Sequence, residues 1–133
     1  MEMDLAAMNE HCRGTMPELL GLRFTEASPE RVVAELAYRE ALTTIGGSLH
    51  GGTLMALADT VGAFATALNL PPGATTTTLE SKTNFFAPGR SGTVRAESTP
   101  LHRGRRTMVW QTRVTDEAGR LLSLTIQTQM VLT

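Results

Sequence analysis

Between Ala41 and Leu79 the chain carries one formally charged side chain, Asp59. Inside that stretch, Gly51 to Leu70 is built from Leu, Met, Ala, Val, Phe, Gly and Thr almost alone, and Pro71-Pro72-Gly73 follows. The segment reads as a helix of about five turns at ~3.6 residues per turn, ended by the prolines. It is apolar on nearly every side, so it must be buried on nearly every side. A segment of ~20 apolar residues could also span a bilayer. Asp59 near its middle would cost about 2.5–3.5 kcal/mol there, and no basic residues anchor its ends. A helix buried inside a protein is the better reading.

What surrounds this helix must therefore cover it. Asp4 to Cys12 has helical spacing, with Leu5, Met8 and Cys12 on one side. Leu19–Phe24 and Arg31–Tyr38 read as strands, the second with Val32, Ala34, Leu36 and Tyr38 on one face and Ser28-Pro29-Glu30 as the turn before it. After the helix, Thr75–Phe86, Thr93–Leu101, Thr107–Thr115 and Leu121–Leu132 alternate like strands. The turns between them are short, which implies antiparallel pairing. Met108, Trp110 and Val114 share one face of the third of these. Leu122, Leu124, Ile126, Met130 and Leu132 share one face of the last, interrupted by Thr128. The expected fold is α+β: an antiparallel sheet wrapped around a long central helix, in one domain of 133 residues.

Composition excludes several functions. A net charge of −1 gives no field to attract nucleic acid or an anionic membrane. The single cysteine, Cys12, permits neither an internal disulfide framework nor a multi-cysteine metal site. The first residues are acidic where a secretory signal would be basic, so a cytoplasmic location is expected.

Two features carry chemistry. Gly46-Gly47-Ser48-Leu49-His50-Gly51-Gly52 holds four glycines in seven positions and ends where the long helix begins. Glycines allow close approach to backbone, and a helix start offers unpaired N–H groups at the positive end of the dipole. That setting suits an oxygen gaining negative charge, although glycines can equally serve a tight entry turn. The second feature is Asp59. A carboxylate in an apolar helix must be hydrogen-bonded, paired or kept for reaction. A structural aspartate, bonded to Thr60 or Thr66, and a reactive one both fit.

The run Leu49-His50-Gly51-Gly52-Thr53-Leu54-Met55-Ala56-Leu57-Ala58-Asp59 resembles the signature of the phenylacetate-pathway (PaaI-type) hotdog thioesterases, in which an acid stands nine positions after the histidine of His-Gly-Gly. Thr78 to Pro88, with Asn84-Phe85, Gly104-Arg105-Arg106 and Asp116 to Arg120 are similar to later parts of that family, in the same order. The resemblance implies an acyl-CoA thioesterase of hotdog fold. Asp59 would act as nucleophile or general base, the Gly51 N–H would polarise the thioester carbonyl with His50 shaping the site, and Thr78 would place water. Thr44 and Gly52 would contact substrate. The family's sites lie between subunits, which implies a homodimer, paired again into a homotetramer. The substrate, an acyl- or aryl-CoA, would be the only partner, with no metal or separate cofactor. Thr44 stands where the family commonly has Asn or Gln, and Ala63 where it often has Ser or Thr.

Arg103, Arg105 and Arg106 could grip coenzyme A phosphates, as guanidinium forks do, or form a solvated hairpin turn. Arg90 is a weaker candidate for the same role. Trp110 reads as core, His102 as surface, and Cys12 and Ser48 lack the neighbours of a nucleophile. Two rival functions remain: a hotdog dehydratase acting on acyl thioesters, and a non-catalytic acyl-CoA-binding module.

Overall fold

The computed structural model describes residues 3–133, so Met1 and Glu2, part of the stretch read for a signal, lie outside the described residues. The first helix, α1 (Leu5–His11), is capped by Asp4, whose Oδ1 accepts from Ala7 N at 2.8 Å. A second helix, α2 (Met16–Leu20), takes Leu19 and Leu20 from the start of the strand expected over Leu19–Phe24. Pro17 sits in its first turn, and Gly21 closes it with a φ of 79°. The apolar alternation of Leu20, Leu22 and Phe24 was real, since all three are buried, but only Phe24 lies in the strand that follows.

That strand is β1 (Arg23–Ser28), and it is followed by β2 (Arg31–Ala37), a short 3-10 turn at Glu40–Leu42, and the long helix α3 (Gly51–Ala67). Four strands complete the chain: β3 (Thr75–Phe85), β4 (Thr93–Arg103), β5 (Thr107–Thr115) and β6 (Leu121–Leu132). They form one six-stranded sheet in the order β1-β2-β4-β5-β6-β3, and every neighbouring pair is antiparallel. The central helix crosses one face, touching β2, β3, β4, β5 and β6. Leu54, Leu57, Val61 and Ala65 pack from the helix against Val32, Ala34, Val94, Ala96, Trp110 and Val114. Full burial of the Leu and Val side chains among them contributes roughly 1.5–3 kcal/mol each, which explains why the uncharged helix sits where it does.

The last strand turns the other way from its hydrophobicity. Ser123, Thr125, Gln127, Gln129 and Val131 are its buried positions, while Ile126 is 36% and Leu132 41% exposed. The shared apolar face of Leu124, Ile126, Met130 and Leu132 is therefore the outer one. Because side chains alternate, an error of one position exchanges the whole set. Leu122 alone is fully buried from that list, beside a register irregularity where Thr115 pairs with Leu121 and Val114 with Ser123. Across the sheet, Ser98, Thr112, Thr125 and Thr83 are register partners in a row of hydroxyls under the helix. At the edge, β3 pairs only with β6 and is interrupted between Thr78 and Glu80, where Leu79 stands 54% exposed.

Candidate active site

The glycine-rich turn is held from several directions. Thr44 N donates to Ser48 O at 2.8 Å, and Gly47 N donates to Thr44 O at 3.1 Å. Gly46 and Gly47 have φ of 102° and 88°, a region that side-chain-bearing residues seldom occupy. Tyr38 Oη donates to Gly47 O at 2.6 Å, and Arg90 Nη1 to Gly46 O at 2.9 Å. The candidate phosphate ligand Arg90 thus braces the turn. Leu49 N reaches Gly89 O at 2.8 Å, and Thr53 Oγ1 reaches Leu42 O at 3.0 Å.

This frame sets the start of α3. His50 is the N-cap, and its Nδ1 accepts from Gly52 N at 2.7 Å. The neutral ring then carries its proton on Nε2. The His50 carbonyl accepts from Thr53 N at 2.9 Å and from Leu54 N at 3.3 Å. Of the first-turn amides, Gly51 N–H alone has no partner among the described residues. Gly52, expected to meet substrate, spends its amide on the histidine instead. Beside Gly51 lies an open cleft of about 360 Å³ that includes Thr44, Ser48, Leu54, Phe85 and Phe86.

Asp59 is half-buried further along the same helix. Its Oδ1 accepts from Thr78 Oγ1 at 2.7 Å and from Gln127 Nε2 at 3.1 Å. Its Oδ2 has no partner among the described residues. Thr60 and Thr66 do not reach the carboxylate: their hydroxyls bond Ala56 O and Gly62 O on their own helix. Neutral donors from β3 and β6 hold Asp59 in their place. The Thr78 hydroxyl also lies 2.6 Å from Gln129 Oε1. Having one proton, it serves one acceptor at a time, and a charged acceptor makes the stronger bond.

Within one chain, Asp59 and His50 are nine positions apart on α3, a separation of ~13 Å at 1.5 Å per residue. One protomer therefore does not bring them to the same bond. The arginine turn lies at the other end of α3. Arg103 Nη1 is 3.3 Å from both Pro29 O and Asn69 Oδ1 and 3.8 Å from Glu30. Arg105 and Arg106 are exposed, with no side-chain bond or ion pair among the described residues. Arg105 borders a second open cleft, of about 720 Å³, with Arg103, Leu70 and Met108.

Residues 46–123 match the thioesterase superfamily. The chain belongs to that superfamily. The proofreading thioesterase EntH of Klebsiella pneumoniae is 36% identical over 119 residues, covering 90% of this chain and 87% of the relative. A 1,4-dihydroxy-2-naphthoyl-CoA hydrolase of Escherichia coli is 32% identical, covering 90% and 88%. The crystal structure of thioesterase HI1161 from Haemophilus influenzae superposes with a TM-score of 0.96 at 30% identity, covering 100% of this chain and 93% of that one. This thioesterase superfamily member is thus a thioester hydrolase of hotdog fold acting on a small-molecule thioester. The dehydratase and the non-catalytic binding module are set aside. No helix among the described residues is long and apolar enough to cross a membrane.

Trp110 is fully buried and His102 is exposed, as the sequence reading had them, while Cys12, read as part of the first helix, is its buried C-cap. What that reading missed were Gln127 and Gln129. Two glutamines at alternate positions of a strand were a usable signal, hidden because Ile126 and Met130 on either side of the pair drew attention to the other face.

Proposed function

We propose that the enzyme hydrolyses an acyl- or aryl-CoA thioester, with Asp59 as general base and the Gly51 N–H as the donor to the carbonyl oxygen. The carrying observation is the half-held carboxylate: one oxygen is bonded to Thr78 and Gln127, and the other is left to act. Asp59 takes a proton from water as the water oxygen attacks the carbonyl carbon. Negative charge gathers on the carbonyl oxygen and is met by the Gly51 N–H at the helix start. The C–S bond then breaks, the free acid leaves, and the departing thiolate takes the proton back from Asp59. Thr78, bonded to the same carboxylate, helps to place the water, and Thr44 and Ser48 offer hydroxyls beside the acyl cleft. Nothing in this sequence of steps calls for a metal or redox cofactor.

The ~13 Å between His50 and Asp59 along α3 supports a site that takes Asp59 from one protomer and His50-Gly51 from its partner. An isologous two-fold pairing supplies two such sites at once. The unpaired edge of β3 is the surface that supports it. The half-exposed outer face of β6, with Ile126 and Leu132, supports a second pairing into a tetramer. Arg105 and Arg106 hold the coenzyme A phosphates.

The test is Asp59→Asn, which keeps shape but not basicity. Release of thiol from a panel of aryl- and alkyl-CoAs should fall by at least ~100-fold, the scale of a lost general base, in a protein that still folds. A single turnover in 18O-water should label the acid product and leave Asp59 unlabelled. Turnover like that of the wild type in the variant overturns the assignment.

A further inference from the structure

Gln127 and Gln129 are both fully buried at successive inward positions of β6. Amides in such a place need partners, and theirs form a chain with a fixed direction. Thr76 Oγ1 donates to Met130 O at 2.8 Å, so toward Gln129 it can only accept. Gln129 therefore turns its Nε2 to Thr76, at 3.2 Å, and its Oε1 the other way. That oxygen meets Gln127 Nε2 at 3.2 Å. The same Nε2 lies 3.1 Å from Asp59 Oδ1 and 3.4 Å from the Asp59 carbonyl. Each link forces the next, and the outcome is that a donor, never an acceptor, is presented to the carboxylate.

The helix is cut to admit this amide. Gly62 lies one turn after Asp59, on the same side of α3. A Cβ on Gly62 would stand 2.3 Å from Gln127 Oε1 and 2.5 Å from its Cδ. Glycine weakens a helix interior, and its φ here is not in the left-handed region. Space for Gln127 is what the position requires. The amide oxygen is left buried without a bond among the described residues.

We infer that Gln127 is the positioning residue of Asp59, fixing one carboxylate oxygen against the sheet so that the other faces the reacting thioester, with Gly62 as the notch that lets it in. The inference rests on the reading that Asp59 reacts. Gln127→Met keeps the length of the side chain and removes the donor. Its kcat should fall roughly 10- to 100-fold, the cost of misplacing a reacting group by about an ångström, with KM within about twofold. Gly62→Ala, which pushes the same amide from above, should lower kcat in the same way. In Gln127→Ala the added methyl has room, so Gly62→Ala should cost nothing further there, a non-additivity that a merely structural pair of sites does not give in kcat. Circular dichroism and thermal unfolding establish that each variant is folded. If Gln127→Met does not fold, Gly62→Ala and the double variant decide. A folded variant with unchanged kcat, or one in which only KM rises, overturns the inference provided that Asp59→Asn is inactive. Turnover retained by Asp59→Asn overturns the function proposed above instead.

Discussion

Replacing Gly51 by proline removes a single N–H and little else. His50 has φ −59° and ψ 139°, the extended conformation that a residue before proline prefers. The first helical position is where proline is best tolerated, because its amide has no helical partner. A Cβ at Gly51 would meet Phe85 Cζ at 3.1 Å, but that is the tip of a half-exposed ring free to swing aside. A glycine replaced by proline at a compatible site commonly gains about 0.4–1 kcal/mol through the unfolded chain, so thermal unfolding should hold or rise by a few degrees. Catalysis should behave differently. Loss of one donor to a developing oxyanion typically costs about 2.7–4 kcal/mol, or roughly 10²–10³ in kcat. Thiol release followed with a chromogenic reagent gives kcat and KM, and Gly51→Ala is the control. Alanine adds the same Cβ against Phe85 but keeps the N–H, so it should retain most of the activity. If alanine and proline lose activity equally, crowding of Phe85 explains the effect and the N–H argument fails. It fails equally if folded Gly51→Pro turns over like the wild type.

Co-expressing Asp59→Asn with Gly51→Pro should restore activity that neither has alone. Random pairing makes half of the dimers mixed, each with one intact site, so about one quarter of wild-type activity is expected for an isologous dimer; no recovery means that each chain supplies its own site. Arg105→Ala with Arg106→Ala should raise KM for acyl-CoA with little change in kcat, the sign of lost uniform binding. A truncated pantetheine thioester should be unaffected, and equal damage to both substrates means that the turn supports the fold. Burial, and secondarily Glu18, pushes the Cys12 thiol up from its ordinary value. Cys12 should thus react slowly with thiol reagents in the native enzyme and freely after unfolding, as followed by intact-protein mass; rapid labelling of native enzyme contradicts this.

The helix and its acid were legible because Asp59 is the one charge in an apolar stretch that has to be buried, although the residues alone left its role open between structural and reactive. The helix start was legible for a similar reason: only glycines accept the backbone that Gly46 and Gly47 adopt. α2 was missed because a helix of five residues is marked by Pro17 and Gly21 rather than by any periodicity. The inner face of β6 was not legible because alternation shows two faces but not which one turns inward. Hydrophobicity usually decides that, and here Gln127 and Gln129 enter the interior to serve a carboxylate. Local rules break most readily where function requires it, and the strand whose apolar face turns outward is one that lines the candidate site.

The two flanks of α3 differ in kind. Toward β2 and β4 the helix rests on Val32, Ala34, Val94 and Ala96, contacts that ask only for volume and tolerate exchange among apolar residues. Toward β6 and β3 it meets Thr78 and Gln127, with Gln129 bonded behind them, contacts that ask for particular atoms in particular directions. Anchorage and the proposed chemistry thus fall on opposite banks of one helix. A lineage can vary one bank while the other stays in register, and a library confined to the apolar bank should yield altered stability with the chemistry intact.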